Sequence, residues 1–93
     1  MTVKSLLSKI SRLVGLPEEL LLDLPCMRLE GFGRLMVENH MGISVLTPTL
    51  IRFRTKEGVV TLAGSDLKLD GIGANGLAVS GEIESIEMKR RGA

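Results

Sequence analysis

The stretch Arg34-Leu35-Met36-Val37-Glu38-Asn39-His40-Met41-Gly42-Ile43-Ser44-Val45 decides how the chain is built. Leu35 and Val37 alternate with Met36 and Glu38, and Ile43 and Val45 resume the alternation beyond a break at residues 39–42. A period of two belongs to a strand with one buried face. Asn39 and Gly42 tolerate positive φ, so the chain reverses or bends between the two runs. One strand–turn–strand unit cannot bury its apolar face alone. The pattern has to recur, and it does so as far as the C-terminus.

On the N-terminal side Met27 and Leu29 face inward, with Arg28 and Glu30 outward. On the C-terminal side Ile51 and Phe53 follow the turn Thr47-Pro48-Thr49 and alternate with Arg52 and Arg54. Val60 and Leu62 follow Lys56-Glu57-Gly58, and Leu67 and Leu69 follow Gly64-Ser65-Asp66. Leu77 and Val79 follow the longest break, residues 71–76, and Gly81 precedes Ile83. At Ser85 the alternation slips by one, the mark of a bulge or corner, and Ile86 and Met88 carry the shifted phase. Strand centres near 28, 36, 44, 52, 61, 68, 78 and 84–87 recur about every eight residues, the interval of a sandwich, barrel or meander. A β-solenoid with two strands per coil fits the same interval. The reading adopted is an all-β domain over residues 26–88, an antiparallel meander folded into a small sandwich, with the solenoid as alternative. Its outer strands are edges that so short a chain has little to cover. The final strand, with Ile83, Glu84, Ile86 and Met88, is therefore a candidate assembly strand of a homo-oligomer. Glu82, Glu84 and Glu87 would there meet the basic row Arg52, Arg54 and Lys56 of a neighbouring copy. Residues 89–93 read as a basic tail that frays.

Ahead of the β-domain, residues 1–25 read as a helical segment. Val3, Leu6, Leu7, Ile10, Leu13 and Val14 fall on one helical stripe, between a Thr2 cap and a Gly15 stop. The opposite face carries Lys4, Lys9 and Arg12, with no acid before Glu18. This is either a cap over the β-core or a helix lying on an anionic membrane or in a partner's groove. A second short helix begins at Pro17 and stops at Pro25, and its leucines plug the first open edge of the sheet.

Composition narrows the function. A chain of 93 residues is one domain with a modest core, and 44% hydrophobic with 25% charged residues makes it globular. Two Phe, no Tyr, no Trp and a net charge of +1 argue against base stacking and phosphate-backbone binding, so no nucleic-acid partner is expected. A single Cys suits a reducing compartment. No run approaches the ~20 residues of a membrane span, and the polar residues of the N-terminus interrupt any signal-like core. The expected location is cytoplasmic.

No pattern declares catalysis. Cys26 and His40 are the only thiol and imidazole, and nothing around them forms a nucleophile elbow or thiol motif. A small-ligand or enzymatic site in the Cys26/His40 vicinity is the rival reading, and a concave pocket holding both would favour it. One His and one Cys cannot close a zinc site, so no metal or cofactor is expected. The G-x-G-x-x-G of residues 71–76 precedes a strand and not a helix, and reads as a loop. Glu38, Asn39, His40 and Gly42 form either a tight turn bonded to local backbone or a recognition loop.

Several of these residues also carry a family resemblance. Leu16-Pro17-x-Glu19 with Asp23-Leu24-Pro25, a first strand ending at Gly31, and Val37-Glu38-Asn39-His40-x-Gly42-Ile43 resemble the YabP/YqfC family of sporulation proteins, nearest the YqfC type. Gly58-Val59-Val60, Gly64-x-Asp66-Leu67 and Gly81-x-Ile83-x-Ser85-Ile86 extend the likeness, which runs from about residue 6 to residue 88. The chain departs from the pattern at Gly73-Ala74-Asn75-Gly76, where charged residues are usual, and at Cys26-Met27, where β-branched residues are commoner. The resemblance implies a protein of endospore-forming bacteria, made in the mother cell and needed for spore development. It further implies a membrane protein encoded alongside as partner, and no catalytic activity.

Overall fold

The computed structural model describes residues 24–91. The expected N-terminal helices, with Lys4, Leu6, Leu7, Lys9, Ile10, Arg12 and Leu13, lie outside the described residues. Six strands follow: β1 (Cys26–Glu30), β2 (Arg34–Glu38), β3 (His40–Leu46), β4 (Leu50–Thr55), β5 (Gly58–Ile72) and β6 (Gly76–Arg90). They form one sheet in the order β1-β2-β6-β5-β4-β3, and every neighbouring pair is antiparallel. A stacked-coil solenoid is thereby excluded, and the expected meander holds only from β3 to β6, because β2 pairs with β6 while β3 lies at the opposite edge of the sheet.

Eight strands were expected and the described residues form six, because Gly64-Ser65-Asp66 and Gly81 are bends inside long strands and not breaks between strands. Around them the β5–β6 register jumps from Ala63↔Ser85 to Gly64↔Ile83, and from Ser65↔Glu82 to Lys68↔Ser80. The first jump leaves Glu84 as the extra residue, one position from the predicted slip at Ser85. Asp66 has φ 52° and Gly81 φ 135°, so the bend uses backbone that glycine adopts most readily.

The bend folds the sheet over itself. Leu35 and Val37 on β2 and Leu77 and Val79 on β6 lie on the same sheet face as Ile51 and Phe53 on β4 and Val60 and Leu62 on β5. All eight are buried, and with Leu67 they make one cluster. A flat sheet leaves such a face open to water, so the two halves must cover each other. The bonds Gly81 N–H to Gly33 O (3.1 Å) and Leu67 N–H to Pro48 O (2.8 Å) tie flanking loops to β6 and β5 at the corner.

Two tight turns are closed by threonine. Thr47 Oγ1 accepts from the N–H groups of Thr49 and Leu50, and buried Thr55 Oγ1 accepts from those of Glu57 and Gly58 and donates to Gly58 O. Three expectations need correction. Leu29, read as inward, sits on edge strand β1 and is 42% exposed. Met88, on the core-facing side opposite buried Val60, is 68% exposed because β2 pairs with β6 only as far as Ser80 and leaves this stretch as an outer edge. Lys89 and Arg90 are not a frayed tail: they pair with Val59 and Gly58, and Arg91 N–H bonds Glu57 O at 2.9 Å.

Candidate functional site

The quoted stretch ends one strand and begins the next at a single residue. Asn39 has φ 66°, and its N–H reaches Asn75 O at 2.6 Å. Its side-chain Nδ2 donates to Leu24 O at 2.8 Å, which ties the entry of the β-domain to the turn. His40 is 8% exposed. Its Nδ1 accepts from Gly42 N–H at 3.0 Å, so that nitrogen is unprotonated here and Nε2 carries the hydrogen donated to Gly73 O at 3.1 Å. Both ring nitrogens are thus engaged by backbone, and only the Gly42 bond is local. The expectation of a locally bonded turn holds for that bond alone. The other contacts staple β3 to the β5–β6 loop and to residue 24. Glu38, half-buried, precedes the staple at the end of β2.

Gly42 has a use beyond turning. At φ 109° a Cβ there would stand 2.9 Å from Arg54 Nη2, so the Arg54 guanidinium lies over the bulge in β3. Arg54 pairs with Val59, and Val59 with Lys89, which sets two cations on either side of an apolar residue on one sheet face. With Met41, Arg90 and Arg91 they line a groove of about 420 Å³ at the end of the sheet. Among the described residues no acidic side chain lines it. A second groove of about 530 Å³ adjoins it, sharing Val59, Lys89 and Arg90 and adding Pro25, Met27, Met88 and the acidic Glu57. Arg52, by contrast, is partly withdrawn by a 3.1 Å bond from its Nε to Thr61 Oγ1.

Other candidates fall elsewhere. A cleft of about 290 Å³ at His40 is lined by Asn39, Met41, Lys56 and Asn75, and half-buried Cys26 is not on its wall. Among the described residues no group of three His, Cys, Asp or Glu is placed for a metal ion. No helix among them is long and apolar enough to cross a membrane. In the candidate assembly strand Ile83 and Ile86 pack against the core, Glu84 is the exposed bulge residue, and Met88 is open. Glu87 faces Thr61, with Arg52 one strand further on the same face, so the acidic and basic rows are already neighbours within one chain.

Sequence reasoning missed the basic groove. It assigned Arg54 to a basic row with Arg52 and Lys56 and residues 89–93 to a frayed tail, because only the β4–β5–β6 register brings the two together.

Comparison with known proteins places the whole β region. The model of the YabP family matches residues 26–93. Over 77 residues the chain is 22% identical to the uncharacterized protein YqfC of Bacillus subtilis (strain 168), covering 83% of each chain. No solved structure matches it significantly. With its six strands all inside the matched span, the chain belongs to the YabP family.

Proposed function

We propose that the chain is a non-enzymatic sporulation module that associates with copies of itself and with a membrane protein encoded beside it, on the mother-cell side of a membrane. The observation that carries this reading is where the side chains with reactive or adhesive character end up. The imidazole of His40 is occupied by backbone on both nitrogens, while Phe32, Met88 and Met41 stand 82%, 68% and 58% exposed. Isolated exposed apolar residues are ordinary, but these lie in the β1–β2 turn and at the basic end of the sheet, where strands also lack partners. β2 covers only Gly76–Ser80 of β6, which leaves residues 84–90 as an edge among the described strands. Such edges attract a second chain unless they are covered. Family membership supports the sporulation setting. Fractionation of sporulating cells tests the reading: the chain should sediment with membranes and become soluble when the adjacent membrane-protein gene is deleted. A chain that is soluble in both strains would overturn the adaptor reading.

A further inference from the structure

The basic groove has an occupant that its walls describe. Four cations, Arg54, Lys89, Arg90 and Arg91, line one end of a protein whose net charge is only +1. Glu57 lines the adjoining groove, which shares Lys89 and Arg90 with this one, and it receives the Arg91 N–H through its backbone carbonyl. The occupant is therefore anionic. Beside the cations the wall is alkyl, from Val59 and the 58% exposed Met41.

The floor strand decides between kinds of anionic partner. Val59 on β5 pairs with Arg54 on β4 and Lys89 on β6. The floor backbone at Val59 is thus bonded on both sides, and an acidic peptide could add as a strand only along the open outer edge of β6, away from Arg54 and Met41. A small soluble anion would leave the alkyl wall unused. A phosphate joined to glycerol esters uses both, and a volume of about 420 Å³ is in the range of small-molecule sites. We propose that this groove binds the headgroups of anionic phospholipids, so that the β-domain has a membrane contact of its own, apart from the N-terminal segment. The proposal deepens the membrane-adaptor reading and rests on it for its setting. Gly42 is the positioning residue, since its missing side chain lets the Arg54 guanidinium lie over β3.

The test is flotation of the purified full chain with phosphatidylcholine vesicles, with and without phosphatidylglycerol. The wild type should float only with the anionic vesicles. R54Q/K89Q/R90Q should lose roughly 100-fold in partitioning, as expected for three basic residues near an anionic surface. R28Q/R34Q/K68Q, which removes the same charge away from the groove, should stay within about threefold of wild type if the groove and not net charge is read. Melting curves confirm folding; if the triple variant fails to fold, K89Q and R90Q singly should each lose about fivefold. Equal binding by groove variant and wild type, or equal loss in the control variant, overturns the proposal. So does full competition by millimolar glycerol phosphate, which would make the groove a soluble-anion site, or by an acidic peptide. If L6E/I10E abolishes flotation while R54Q/K89Q/R90Q does not, the groove proposal fails and the membrane reading stands. If the wild type floats with no vesicle, both fail.

Discussion

Replacing Gly81 by alanine probes the bend on which the fold turns. The residue sits at φ 135°, and a Cβ there would lie 2.5 Å from Asp66 O and 2.9 Å from Leu67 Cα. Ordinary contact is about 3.5–4.0 Å, so β5 and β6 must separate by roughly an ångström at the corner. Leu67, 5% exposed, is carried out of the core with them. The backbone conformation costs about 1–3 kcal/mol, and the forced displacement about 1–3 kcal/mol more. At ~4–8 °C per kcal/mol for a domain of this size, the melting temperature should fall by at least ~8 °C. Gly71→Ala is the control, because nothing lies within 4 Å of its added Cβ. Circular dichroism melts and urea titrations of wild type, G81A and G71A decide the matter. A G81A midpoint within about 2 °C of wild type, or equal loss in both variants, would refute the bent-hairpin account.

Other expectations follow from the same contacts. Phe53→Ala empties a site that is 0% exposed and should cost about 3–5 kcal/mol in urea unfolding. His40→Ala removes the partner of Gly42 N–H and Gly73 O and should cost about 2–4 kcal/mol, with faster hydrogen exchange at Gly42 as its local sign. Met88→Lys should abolish self-association in sedimentation runs without a large change in melting, since the side chain is 68% exposed. Ile86→Lys should also unfold the core, against which Ile86 packs. Glu84→Lys should only weaken association, because an exposed pair contributes about 0.2–1 kcal/mol.

Much of the fold was legible because alternation records burial directly. Leu35, Val37, Ile51, Phe53, Val60, Leu62, Leu77 and Val79 were all read as inward, and all are buried. What failed was the reading of glycine. Gly64 and Gly81 look like turn residues, but each is a glycine because the opposing strand's backbone comes too close for a Cβ. Local sequence does not distinguish a reversal from a close approach. Leu29 failed for a related reason: alternation gives the face of a strand but not whether anything covers it. At the site, the turn 38–42 was recognised from Asn39 and Gly42, while the reach of its bonds to Leu24 and Gly73 was not. Those partners are 15 and 33 residues away, beyond any short-range pattern. The basic groove was hidden in the same way, since Arg54 and Lys89 meet only through β5.

Under the proposed function, exposed apolar positions of the β-domain meet a membrane partner. Site-specific photo-crosslinking in sporulating cells tests it most directly, with the crosslinking amino acid placed at Phe32 or Met88, and at exposed Lys68 as control. Adducts to the proposed membrane partner are expected from Phe32 or Met88 and none from Lys68. No adduct from either apolar position, or equal adducts from all three, would contradict it.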